Sequence, residues 1–263
     1  MSGEIGTKIN QVLKVWPQGT VAASSWLEAQ GIYHQLAQGY EHSAWIKRVG
    51  HGAYIRDGDQ VDWQGALYAI QNHLKLPIHA AAKTALELHG ITHFVSSGPA
   101  KAVFLLGAHR SKLPSWFKAH DWGTAIHFSA TQLFSRTQEL GLTQKDIGNY
   151  SIQVSSRERA VFELLHLVPQ SQGYDEASLL FESLRTLRPD LVQQLLENCG
   201  SVKVKRLFLH LAEKTNQEWF SELNLLKVAL GKGKRVIAEG GVFDSKYGIS
   251  VPNLPKVETE EGL

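Results

Sequence analysis

The chain has 263 residues, 43% of them hydrophobic, with eight prolines and a formal net charge of +2. That is enough apolar content for a buried core, excludes a compositionally disordered chain, and suggests about two domains. The mild positive balance gives no bulk-charge argument for nucleic acid, because that argument needs many cations to neutralise phosphates.

No stretch approaches the roughly 18 apolar residues that a spanning helix needs, and MSGEIGTKINQ lacks the basic-then-apolar build of a signal peptide. A cytoplasmic location with no membrane partner is therefore expected. Cys199 is the single cysteine, which removes an internal disulfide and a Cys-based zinc cluster. The histidines take no HExxH form, and Gly90 separates His89 from His93, so no metal or other cofactor is expected.

In chain order, Ile5, Ile9, Val12, Leu13 and Trp16 make one apolar helix face that ends before Pro17. Thr20 is placed to cap a second helix, with Val21, Trp26 and Leu27 inward, and Gly31 stops it. A third helix spans about 33–43, with Ile32, Leu36 and Tyr40 buried. Residues 45–49 and 53–56 read as two short strands joined by Gly50, His51 and Gly52.

That order is a winged helix-turn-helix, and the third helix is its recognition helix. Tyr33, His34, Gln35 and Gln38, with Glu41 beside them, point outward where side chains reach base edges. Lys47, Arg48, His51 and Arg56 lie in the wing near where phosphates would run. Residues 1–56 still hold only Lys8, Lys14, Lys47, Arg48 and Arg56 against Glu4, Glu28 and Glu41. The argument for DNA therefore rests on pattern rather than charge. The same pattern also suits a protein-contact module.

Asp57, Gly58 and Asp59 make a turn, and a helix resumes over 61–74 with Trp63, Leu67 and Ile70 in step. A further helix is expected over 80–88, an extended segment at His93, Phe94 and Val95, and buried strands over 102–106, 125–128 and 147–154. Ser155 or Ser156 caps a helix that Pro169 stops. Helices follow over 175–187, 191–199, 202–214 and 218–226, then a Gly-rich hairpin over 228–251 and a frayed acidic tail over the last eight residues. The expected class is α+β: a winged helix-turn-helix over 1–60, then a mixed α/β domain over 61–263.

Gly231, Lys232, Gly233, Lys234 and Arg235 resemble a phosphate cradle but lack the P-loop spacing and a following helix. With Lys203, Lys205, Arg206 and Lys227 they are expected to form an auxiliary basic surface for DNA phosphates or an acidic partner. Arg157 and Arg159 at a helix start oppose the helix dipole, which suggests specific partners. No paired-carboxylate, Ser/His/Asp or Cys/His arrangement assembles, and Asp244 and Tyr247 read equally well as turn residues. No enzyme activity is expected.

Five ordered blocks carry a resemblance: GIYHQLAQGYEHSAWIKRVGHGAYIRDGDQVDW, KTALELHGITHF, VSSRERAVFELLHLVP, SVKVKRLFLHLAE and GKRVIAEGGVFDSKYGISVP. Together the chain resembles the AbiEi-type antitoxins of type IV toxin-antitoxin systems, the abortive-infection regulators. The resemblance implies a winged helix-turn-helix that represses its own operon on operator DNA. It also implies a C-terminal antitoxin domain that counters a nucleotidyltransferase-like toxin, usually without a stable complex.

Against that pattern Tyr33 stands where Ser or Thr would cap the third helix, Gly39 where a basic residue would sit, and Ala44 where Gly would ease the turn. His51 stands where Arg is usual at the wing tip. The rival is a phosphate- or nucleotide-binding enzyme or regulator that uses Arg157, Arg159 and the Lys232 to Arg235 turn. A pure protein adaptor is the third reading.

Overall fold

The computed structural model describes residues 2–91 and 102–253, with side chains from residue 8 onward. Ile5, the segment at His93, Phe94 and Val95, and the acidic tail lie outside the side chains or residues described. The chain forms two compact units. One comprises Met1–Thr84, Gly98–Gln132 and Leu142–Ser155; the other comprises Ala85–Ser97, Leu133–Gly141 and Ser156–Leu263.

In the first unit, α1 (Ser2–Val15) buries Ile9 and Val12, and Trp16 follows the helix into the same core. Chain 22–23 is not the start of a helix capped by Thr20, as the sequence suggested. Ala22–Ala23 is a strand, β1, and the Thr20 hydroxyl donates to Pro17 O at 2.7 Å. The reason is pairing: Ala22 and Ala23 complete a small sheet by lying against Tyr54 and Ala53.

Helix α2 (Ser24–Ala29) then turns at Gly31, whose φ of +79° suits a residue without Cβ, into α3 (His34–His42). Strands β2 (Ile46–Gly50) and β3 (Ala53–Arg56) close the wing, in sheet order β1-β3-β2. Ile9, Val12, Trp16, Leu27, Ile32, Ala37, Tyr40, Ile46 and Tyr54 form one buried cluster, so every element of the module contributes to its core.

The same unit continues with α4 (Trp63–Asn72), capped by Asp62, which accepts from the amides of Gln64 and Gly65. A Cβ at Gly65 would sit on the Gly19 carbonyl, so glycine permits this close approach of α4 to the winged helix. Helix α4 packs on β4 (Ile78–Ala80) of a five-stranded sheet. Its other strands are β5 (Ala102–Ala108), β6 (Ala125–Thr131), β7 (Leu142–Ile147) and β8 (Tyr150–Ser155), in the order β6-β5-β4-β8-β7.

Strand β4 pairs antiparallel with β5 and parallel with β8, which puts a three-residue strand at the sheet centre. Gln71 of α4 clamps the seam: its amide nitrogen donates to Ile78 O at 2.8 Å and Gln153 O at 2.9 Å, and its oxygen accepts from Gln153 N. Residues 78–80 are therefore strand, and helix α5 is shorter than expected, Ala82–Leu88. Between β5 and β6 lies a short helix, α6 (Ser115–Ala119).

The second unit is built around α7 (Arg157–Leu167), capped by the Ser156 hydroxyl as its sequence suggested. Its residues Ala160, Val161, Phe162, Leu164 and Leu165 are fully buried, the signature of a helix enclosed on all sides. Around it pack α8 (Tyr174–Glu182), α9 (Pro189–Asn198) and α10 (Val202–Lys214). Phe162 stacks on Phe208 at 4.3 Å between ring centroids, and Phe181 and Trp219 extend the cluster.

Residues 218–227 are two short 3-10 turns rather than a helix. The expected terminal hairpin is present as β10 (Val242–Asp244) against β11 (Ile249–Val251), and β9 (Arg235–Val236) adds a parallel edge to β11.

Candidate nucleic-acid interface

Helix α3 divides cleanly. Ala37 and Tyr40 are buried, whereas Tyr33, His34, Gln35, Gln38 and His42 are exposed, so the outward side is a row of polar and aromatic donors and acceptors. Tyr33 is 67% exposed, too open to belong to the core. It occupies the N-cap and makes no side-chain cap hydrogen bond. Gly39 is exposed with nothing within 4 Å of where a Cβ would lie, and Ala44 adopts φ of +55°, a conformation that costs a side-chain-bearing residue energy.

The wing presents Lys47 and His51 to solvent. Arg48 behaves differently. Its Nη2 lies 3.0 Å from Glu41 Oε2, its Nε lies 3.3 Å from both carboxylate oxygens, and its guanidinium sits 4.9 Å from the centre of the Tyr54 ring. Bonding to Glu41 raises the Arg48 pKa. Each side chain is about one-third exposed, so the pair stabilises only modestly, but it fixes the wing relative to α3. The expected outward role of Glu41 is thus replaced by an internal one.

Arg56 departs further from expectation. Its Nη2 donates to Leu13 O at 2.5 Å, its guanidinium lies 5.7 Å from the Trp16 ring, and burial lowers its pKa. It ties β3 to α1 and is not placed as a phosphate contact. Nor is the wing free on every side. Gly50 lies so close to α6 that a Cβ there would come 2.9 Å from Trp116 Cβ. Sequence reading missed α6 because Leu113, Pro114 and Ser115 look like loop, and no local periodicity marks a five-residue helix.

The auxiliary basic surface needs correction. Lys205 and Arg206 are each only 5% exposed. Arg206 donates to the carbonyls of Leu230 (2.9 Å), Gly233 (2.5 Å), Gly248 (2.9 Å) and Gly231 (3.2 Å), and so holds the Gly231 to Gly233 turn from inside. Lys203 donates to His166 O at 3.0 Å and to Val168 O, closing off the end of α7. Lys203 and Arg206 are internal struts, and Lys205 is buried beside them, because the helix that carries them is enclosed on several faces. Lys232 and Lys234 are exposed and Arg235 half-exposed; the Lys234 ammonium lies 4.8 Å from the Phe243 ring.

The phosphate-binding alternative loses its central residue. Arg159 is 6% exposed, pairs with Glu163 at 2.8 Å, and donates to Gln138 O at 2.5 Å and Leu140 O at 2.8 Å. Arg157 reaches His89 O at 3.5 Å. Asp244 does turn chemistry, accepting from Lys246 N at 2.9 Å, and its other oxygen lies 2.6 Å from His210 Nδ1. The far nitrogen of that histidine is buried without a partner, so this His-Asp pair presents no open face to a substrate.

The fold and this face define a winged helix-turn-helix protein with an appended sheet and a second, largely helical unit. The family described as "Transcriptional regulator, AbiEi antitoxin, Type IV TA system" matches residues 100–252, and its N-terminal domain matches residues 6–97. The chain therefore belongs to the AbiEi family of antitoxin transcriptional regulators. It is similar in fold to the crystal structure of the RV2827C protein from Mycobacterium tuberculosis, with a TM-score of 0.58 at 11% identity over 94% of this chain and 90% of that one. No curated protein matches it. Among the described residues, no helix is long and apolar enough to cross a membrane.

Proposed function

We propose that the chain is a cytoplasmic, non-enzymatic repressor that binds double-stranded operator DNA through α3 and the wing, and that the rest of the molecule counters a nucleotidyltransferase-like toxin. The observation that carries the DNA half is the outward side of α3, where Tyr33, His34, Gln35 and Gln38 are all exposed while the opposite side closes the core. Glutamine amides at that position make paired hydrogen bonds to adenine in the major groove, and the tyrosine and histidine supply stacking and donor groups. Lys47 and His51 serve the backbone; Arg48 positions the wing through Glu41. Lys232, Lys234 and Arg235 supply a separate basic surface on the second unit.

The test is a binding titration on DNA from upstream of the chain's own gene. Gln35→Ala with Gln38→Ala should cost about 1–3 kcal/mol on that DNA and almost nothing on random duplex. Lys47→Ala should weaken both equally and reduce the salt slope by about 1. Equal losses on both DNAs from the glutamine substitutions would remove α3 as the reading element. The antitoxin half is tested by co-expression with the neighbouring gene: rescue of growth that survives the glutamine substitutions separates toxin neutralisation from repression.

A further inference from the structure

The connection between β5 and β6 folds back around α6 to leave a cleft of about 560 Å³ that opens to solvent. The DNA reading does not use it. Its size falls within the range that encloses small ligands. The floor is aromatic: Phe117, Trp122 and Phe128 line it. Trp122 donates its indole N–H to Phe117 O at 2.8 Å, so its polar edge is satisfied inside the protein, and the His120 ring lies 4.3 Å from its own. The rim carries Lys112 and Lys118, both exposed, and Asp121, whose Oδ1 accepts from Gly123 N at 2.9 Å.

An aromatic lining, two ammonium groups and one carboxylate suit a guest with a planar ring, an anion and a hydroxyl donor. A ring alone would leave the lysines unused, and an anion alone would leave the aromatic floor wet. We propose that this cleft binds a purine mononucleotide, with the base on the aromatic floor, the phosphate on Lys112 and Lys118, and a ribose hydroxyl donating to Asp121.

Occupancy reaches the wing through Trp116. Its ring contacts both Phe117 and Trp122, at 5.8 and 6.5 Å between centroids, and its backbone lies against Gly50, the residue before the wing tip. A guest that stiffens Phe117 and Trp122 therefore stiffens β2. Nucleotide binding stands independently of the repressor reading; only the consequence of wing stiffening for operator affinity rests on it.

Calorimetric titration of the full chain with AMP, adenosine and ribose 5-phosphate tests the cleft. AMP should bind at least about tenfold more tightly than either fragment, because each fragment lacks one of the two recognition elements. Replacing Lys112→Ala with Lys118→Ala should bring AMP down to the level of adenosine. An AMP affinity equal to that of ribose 5-phosphate, or one unmoved by the double substitution, would overturn the proposal.

Hydrogen exchange over residues 46–56, with and without AMP, tests the link to the wing and uses no DNA. Exchange should slow several-fold on saturation, and unchanged exchange would overturn the link. A chain that bound AMP but no operator would refute the repressor reading and leave the cleft standing.

Discussion

Gly39 offers the sharpest test of how α3 is built. It lies inside the nine-residue α3, is exposed, and has nothing within 4 Å of an added Cβ. A glycine in a helix interior costs about 0.8–1.0 kcal/mol relative to alanine, largely through the entropy of the unfolded chain. Because no neighbour would be displaced, Gly39→Ala should recover nearly all of that, and the melting temperature should rise by about 2–4 °C. If the freedom that this glycine gives the unbound α3 is also a cost of binding, operator affinity should improve up to about fivefold, the equivalent of 1 kcal/mol. Thermal denaturation followed by circular dichroism measures the first effect and anisotropy of labelled DNA the second. A melting temperature that stays put or falls would refute the reasoning, because it would mean that glycine is required where the structure leaves room.

Ala44 at φ of +55° predicts that Ala44→Gly stabilises by up to about 1 kcal/mol in urea titration, opposite in sign to the loss the same change causes inside a helix. Gly50→Ala should instead destabilise by about 1–3 kcal/mol, since its Cβ would lie 2.9 Å from Trp116 Cβ and 3.2 Å from Trp116 Cα, and backbone must move. His73 contributes to the pH dependence, alongside His166, whose pKa burial also lowers. Burial, then the charge of Lys75, lowers the His73 pKa to about 4, its ring stacks on Trp26 at 4.3 Å, and its Nδ1 accepts from Ala23 N at 3.4 Å. The folded value is below the unfolded one, so the unfolded chain takes the proton first. Stability is full above about pH 6.5 and falls toward pH 4, by roughly 2 kcal/mol once partial exposure of the ring is discounted. Urea titrations across that window should show the slope flatten in His73→Gln.

The winged helix was legible because its signals are local: Pro17, Gly31 and the Gly50 to Gly52 turn punctuate it, and the helix faces repeat at helical spacing. Strand β1 was not, since two alanines carry no strand preference and pair only because β3 lies beside them. Strand β4 is likewise three residues after Pro77, defined by its neighbours on both sides. In the candidate site, Tyr33, Gln35 and Gln38 could be read as outward from periodicity alone. The fate of the arginines could not. Arg48, Arg56, Arg159 and Arg206 each spend their donors on a carboxylate or carbonyl that is 7 to 43 residues distant or, for Arg159, a turn away. A sequence shows how many cations a segment has but not which of them the fold consumes.

That consumption sets what DNA binding should look like. Of the five cations in residues 1–56, Arg48 and Arg56 are committed internally, and the exposed ones are Lys14 and Lys47, with Lys8 half-buried over Gly31. Each phosphate neutralised contributes about −0.9 to the slope of log K against log salt, so the winged helix alone should give a slope between about −1 and −3 per copy. Affinity from so few contacts should be weak, and on the proposed reading discrimination comes from the outward residues of α3 rather than from the backbone. A slope much steeper than about −3 per bound copy would show that other cations join the interface. Lys232→Ala, Lys234→Ala and Arg235→Ala made together would then identify whether the second unit supplies them. If the triple substitution left a steep slope unchanged, the exposed turn of the second unit would have no part in holding DNA.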